Sequence, residues 1–157
     1  MSHSLATLNL EWFCDTFAEL SPWSLYAILK LRQEVFVLEQ DSLYLDPDGK
    51  DLDSTHIYAF ESGELVAYQR CLPPGLSYPE SSIGRIVTHP RMRGKQLGKA
   101  LVQRGVEYNL MHWPGSDICI SAQAHLQNFY ASFGFTAEGE SYQEDGIPHR
   151  KMRLRSA

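Results

Sequence analysis

Apolar residues recur at helical spacing early in the chain and at strand spacing in its middle. Leu25, Ile28, Leu29 and Phe36 fall on one helical face, and Ser21-Pro22 supplies an N-cap followed by proline at the first helical position, which predicts a helix over about 22–37. A polar stretch, Asp41 to Thr55, follows. The runs His56–Glu61 and Glu64–Leu72 flank Ser62-Gly63 as a hairpin, and Pro73-Pro74-Gly75 ends the second run. A third strand is expected over Ser82–Val87. A long helix over about Arg93–His112 would carry Leu97, Leu101, Tyr108 and Met111 on one face and Val102 and Val106 on the opposite one, and so pack on both sides. The chain then reads as a buried strand (Ile118–Ala122), a short helix (Ala124–Phe133) and a second hairpin (Ala137–Gln143 with His149–Arg155). Strands and helices in this order give an α/β (α+β) domain with a central, mixed but mostly antiparallel sheet flanked by helices.

Size and composition narrow the class. At 157 residues, with no repeat or linker, one domain over 1–157 is expected, able to bury about two-thirds of its unfolded surface. A net charge of −5 with 43% hydrophobic residues argues against a disordered acidic chain and against a nucleic-acid-coating protein. Met1 to Thr16 lack the pattern of a signal peptide and no apolar run is long enough to span a bilayer, so no membrane association and a cytoplasmic home are expected. Cys14, Cys71 and Cys119 are odd in number and form no C-x-x-C pair, which disfavours both a disulfide framework and a zinc cluster.

The richest chemistry lies between Thr88 and Val102. An apolar run breaks at Pro90 into a basic turn bearing Gly94 and Gly98, and this turn opens the long helix. A helix N-terminus offers unpaired N–H groups and partial positive charge, and Arg91, Arg93, Lys95 and Lys99 add full charges, so the segment suits an anion. It fits neither the Walker pattern nor a dinucleotide fingerprint. A solvated basic first turn is the plainer alternative.

A second segment, Ala124 to Phe135, supports the anion site. Arg93-Gly94-Lys95-Gln96-Leu97-Gly98, together with Tyr130 four residues before Gly134-Phe135, resembles the acyl-CoA-binding motifs of the GNAT superfamily of N-acetyltransferases. Gln96 stands where the family's middle glycine is usual, and Gln123 where an asparagine is usual. Leu31–Gln40, Ile83-Gly84-Arg85, Ala122–Tyr130 and Glu144–His149 extend the likeness to the ElaA subfamily over roughly residues 23–154. The resemblance implies the GNAT fold and acetyl-CoA as acyl donor. Its pantetheine arm would lie along Ile86, Val87 and Thr88, its pyrophosphate on Arg93, Gly94, Lys95, Gln96, Leu97, Gly98 and Lys99, with Gln123, Asn128 and Tyr130 beside the cofactor. It further implies direct attack by a primary amine, of a small molecule or a peptide, in a ternary complex. The other reading is an acyl-CoA sensor without turnover, motivated by Gln96 and Gln123. Neither the amine nor the oligomeric state, a homodimer included, is named by the sequence.

By the same resemblance Tyr130 is the candidate acid for the departing thiolate, since a phenol of pKa about 10 can protonate a thiolate of pKa about 8.5. It also sits in a stripe with Leu126, Phe129 and Phe133, where a core aromatic is the alternative. Glu39, Glu144 and His149 are the candidate bases, although Glu144-Asp145-Gly146 equally suits a solvated hairpin turn. Arg70 and Arg85 interrupt apolar strands and therefore need carboxylates, expected from Glu39 or Glu144 or from an acidic acceptor. Asp46-Pro47-Asp48-Gly49-Lys50-Asp51, with Asp53 and His56, has the density of a cation site without the order of an EF-hand. It reads instead as an Asx-turn loop walling the acceptor site, with no metal.

Overall fold

The computed structural model describes residues 8–157. Its elements are β1 (Leu10–Thr16), α1 (Pro22–Arg32), β2 (Thr55–Glu61), β3 (Glu64–Leu72), β4 (Ser81–Thr88), α2 (Leu97–His112), β5 (Ile118–Gln123), α3 (Gln127–Ala131), β6 (Thr136–Glu144) and β7 (Ile147–Leu154). The seven strands form one sheet in the order β1-β2-β3-β4-β5-β7-β6, antiparallel throughout except between β4 and β5. The expected fold class is therefore observed. β1 was not foreseen; it pairs with β2 along its whole length, from Leu10 opposite Glu61 to Thr16 opposite Thr55.

Alternation along β2 sorts the two faces. Tyr58 joins Ile28, Leu31, Val35, Tyr68 and Val87 beneath α1, whereas Ile57 and Ala59 belong to the clusters formed with α2. Ser21 caps α1 as expected, its Oγ accepting from Ser24 N at 3.0 Å. The helix does not run regularly to Val37. After Arg32 it widens into a π-helical stretch, Gln33–Glu39, beginning next to the residue whose guanidinium is drawn into buried ion pairs.

α2 begins at Leu97 rather than Arg93, because the turn before it holds Gly94 and Gln96 at φ +79° and +63°. The helix also packs on one side only. Leu97, Leu101, Val102, Gly105, Val106 and Asn109 are buried, while Met111, expected on a packing face, is 76% exposed. At Gly105 the helix touches β3: a Cβ there would lie 2.7–2.9 Å from the Gln69 amide, whose Nε2 donates to Leu101 O at 2.6 Å. The expected short helix is a 3₁₀ turn, Ala124–Leu126, leading into α3. Asp145 and Gly146, at φ +52° and +77°, make the β6–β7 turn as their residue types suggest.

Among the described residues no helix is long and apolar enough to cross a membrane. Cys71 and Cys119 are buried, and burial raises the thiols of all three cysteines, Cys119 to about 11, which disfavours thiolate chemistry.

Candidate active site

The site begins with a fault in the sheet. Tyr68 faces Val87 and Arg70 faces Gly84, so Gln69 is opposed by both Arg85 and Ile86. Arg85 takes the left-handed conformation, φ +49°, which costs a non-glycine residue about 1–3 kcal/mol and is kept only where surrounding contacts enforce it. On the other side, β4 pairs with β5 only at Ser81–Ile118 and Ser82–Cys119. Beyond those residues the strands part, and a cleft opens between them.

The cleft has two chambers. The inner one, about 110 Å³, is lined by Ile86, Ser121, Gln123, Tyr130, Glu144 and His149, among others. The outer one, about 460 Å³, adds Asp48, Lys50, Arg70, Ser77 and Tyr78. Tyr44, Ile83, Gly84, Arg85, Ser121, Glu144 and Asp145 border both.

Tyr130 belongs to the core and also lines the inner chamber. It is 6% exposed and packs edge-to-face on Phe129 and Phe135, yet it borders the inner chamber and its hydroxyl has no hydrogen-bond partner among the described residues. Burial pushes its phenol up to about 12, so it stays protonated. His149, from β7, is also buried. Its Nδ1 lies 2.7 Å from the Ile147 carbonyl, a geometry that places the ring proton on Nδ1 and the lone pair on Nε2. Nε2 lies 3.4 Å from Glu144 Oε2, which also accepts through Oε1 from Ser121 Oγ at 3.3 Å.

Glu39 lies elsewhere. It lines neither chamber and meets Arg93 Nη2 at 2.6 Å. Arg70 and Arg85 pair with neither Glu39 nor Glu144, contrary to expectation. Arg70 meets Asp48 at 2.6 Å and Asp51 at 2.9 Å, and Arg85 meets Asp46 at 2.9 Å and Asp48 at 3.4 Å. A third guanidinium, Arg32, only 1% exposed, closes the set through Asp46 and Asp51, both at 2.8 Å. Three arginines thus face three aspartates. Asp48 keeps its Asx-turn role as well, accepting Lys50 N at 3.0 Å. The arginines hold the Asp48 and Asp51 carboxyls below their ordinary range despite burial, and the loop becomes a fixed wall of the outer chamber. Arg32 and the tyrosine walls Tyr44 and Tyr78 were not anticipated. The acidic density of residues 46–51 was the available signal.

The basic turn lies at the end of β4. Val87 is buried beneath α1, and the Thr88 methyl would sit 4.0 Å from a Cβ at Gly98, which brings strand end and helix start together. Gln96 adopts the left-handed conformation that glycine would take, φ +63° and ψ +16°, and no side chain caps the first turn of α2, so its amides are free to donate. Arg91 is withdrawn from this turn by Glu61 and Glu64, at 2.8 and 2.5 Å. Lys95 and Lys99 have no carboxylate within 4.0 Å among the described residues. Gln123 Nε2 donates to Gln40 Oε1 at 3.2 Å, and Asn128 is exposed on α3, away from both chambers.

A turn of free amides beside a split sheet, with a cleft between the parted strands, accords with the comparisons. The acetyltransferase (GNAT) domain family matches residues 32–156. Protein ElaA of Escherichia coli is 45% identical over 145 residues, 91% of this chain and 95% of that protein. A UPF0039 protein of Synechocystis is 42% identical over 94% of this chain and 97% of its own. The crystal structure of Escherichia coli ElaA superposes with a TM-score of 0.88 at 43% identity, covering 93% of this chain and 99% of that one. An acyl-CoA N-acyltransferase from Pseudomonas aeruginosa gives 0.88 and 43% over 92% and 99%. The chain belongs to the GNAT superfamily of acetyltransferases, in its ElaA subfamily.

Proposed function

We propose that this chain transfers an acetyl group from acetyl-CoA to a primary amine by direct attack within a ternary complex. The observation that carries the reading is the inner chamber, which gathers an unbonded phenol (Tyr130) and an imidazole lone pair (His149) between two parted strands. The amides of the Gly94–Lys99 turn would receive the pyrophosphate. The pantetheine amides would pair with the β4 backbone from Ile86 to Thr88, which β5 leaves unpaired.

His149 Nε2 would take the proton from the acceptor ammonium, and Glu144 would stabilise the imidazolium. The free amine nitrogen then attacks the thioester carbonyl carbon. As the tetrahedral intermediate collapses the C–S bond breaks, Tyr130 gives its proton to the departing sulfur, and the extra proton on the new amide nitrogen passes to the tyrosinate, which restores the phenol. Holding both reactants in one chamber supplies effective molarity, a large part of the rate in such reactions.

Steady-state thiol release with a panel of amines tests the proposal. Release above the amine-free background is expected for at least one acceptor. CoA binding with no release from any amine would overturn turnover and leave a sensor.

A further inference from the structure

Charge in the outer chamber does not cancel everywhere. Arg32, Arg70 and Arg85 are matched one for one by Asp46, Asp48 and Asp51, and that set is closed. Lys50 stands outside it. Its ammonium donates to Ser77 Oγ at 2.9 Å and has no carboxylate within 4.0 Å among the described residues. Its backbone is pinned on both sides, N–H donating to Asp48 Oδ1 at 3.0 Å and carbonyl accepting from Ser54 Oγ at 2.7 Å. On the same lining, among the described residues, Asp145 offers a carboxylate engaged by no side chain, and Glu144 offers one shared with Ser121 and His149. Lys50 borders the outer chamber alone, whereas Glu144 and Asp145 border both. Negative charge is therefore uncompensated at the junction with the inner chamber, and one positive charge farther out.

We infer that the acceptor is a small zwitterion, a primary amine bearing a carboxylate at its other end. Its ammonium sits between Glu144 and Asp145, and its carboxylate reaches Lys50 and the Ser77 hydroxyl. This rests on the acyl-transfer reading above. A diamine would set a second ammonium against Lys50. A neutral far end would leave that ammonium uncompensated beside the tyrosine walls, Tyr44 and Tyr78. Because Arg70 and Arg85 are already engaged, Lys50 is the single unpaired cation among the described residues that line the outer chamber, which matches one carboxylate.

The test is thiol release with ω-aminocarboxylates from glycine upward, their primary amides, and the matching diamines, at saturating acetyl-CoA. The best aminocarboxylate is expected to exceed its amide about tenfold or more in kcat/KM, the usual worth of one charge-assisted hydrogen bond, with the diamine lowest. Lys50→Ala should collapse the acid-to-amide ratio toward one, and Lys50→Arg should restore it. Unchanged CoA affinity in both variants certifies the fold. Equal use of acid and amide, or a ratio that survives Lys50→Ala, overturns the zwitterion and leaves acyl transfer standing. No thiol release from any member overturns both.

Discussion

Arg93 Nη2 lies 2.6 Å from Glu39 Oε1, an ion pair that ties the basic turn before α2 to the end of the π-helical stretch after α1. The contact turns Glu39 toward the glycine turn and away from both chambers of the cleft. Side-chain exposures of 50% and 40% make the pair worth under about 1 kcal/mol. A pyrophosphate arriving at the turn would compete with this carboxylate for Arg93. Glu39→Gln is therefore expected to leave the pH profile of turnover unchanged and to tighten CoA binding by a few-fold, as measured by calorimetry. Loss of the acidic limb in this variant would return Glu39 to the role of base.

Gly98 separates fold from cofactor. A Cβ at this position would make ordinary contacts, 3.8 Å to Phe129 and 4.0 Å to Thr88. An aspartate in the first turn of α2 also complements the helix dipole. Gly98→Asp is thus expected to keep its melting temperature while CoA affinity falls by tenfold or more, from bulk and repulsion of the pyrophosphate. Affinity equal to the parent protein would remove this turn from the cofactor site.

Local signals carried most of what the sequence reveals. Pro90, Gly94 and Gly134 set backbone geometry over a few positions, so the glycine turn that opens α2 and the short helical segment bearing Tyr130 could be read directly. Where geometry depends on distant pairing, the reading failed. The partners of Arg70 and Arg85 follow from how residues 46–51 fold back over β3 and β4, which no periodicity encodes. The strand at Leu10–Thr16 is half-exposed and takes its form from β2. Met111 fits a helical face on paper, but α2 runs past the core it covers.

Tyr130→Phe deletes one oxygen that, among the described residues, no protein group hydrogen-bonds, on a side chain lining the inner chamber. The aromatic packing with Phe129 and Phe135 survives, so thermal stability should be nearly unchanged. If the phenol protonates the thiolate, turnover on a good acceptor falls by roughly 10²–10⁴-fold. Unchanged turnover would leave Tyr130 a core residue only.

The buried ion-pair set gives stability a pH signature. His56 is buried with Nδ1 2.7 Å from Tyr68 Oη and Nε2 2.9 Å from the Asp51 carbonyl; burial, with Arg32 and Arg70 nearby, lowers its pKa below the ordinary 6.5. The unfolded chain then binds a proton more readily than the folded one. Stability from this group is complete above about pH 6.5 and declines as pH falls toward the lowered folded value. Asp48 and Asp51, also held low, lose their contribution only at still lower pH, as it falls through their folded values. Melting temperature is expected to begin falling just below pH 6.5, and His56→Gln should flatten that first step. A flat profile from pH 7 to 5 in the parent protein would contradict it.

His149 and Glu144 divide two roles that kinetics can separate. With Nδ1 held by Ile147, only Nε2 can accept the acceptor's proton, so His149→Gln should lower kcat/KM for the amine by roughly 10²–10⁴-fold and abolish the acidic limb of the rate profile. Glu144 touches the imidazole at 3.4 Å without replacing it. Glu144→Gln removes a neighbour of the ring without removing the base, so the acidic limb should persist, with a smaller loss of rate. CoA affinity should change little in either variant, because the turn proposed to hold the pyrophosphate borders neither chamber. If Glu144→Gln instead abolished the limb and His149→Gln preserved it, the carboxylate would be the base and the histidine its support.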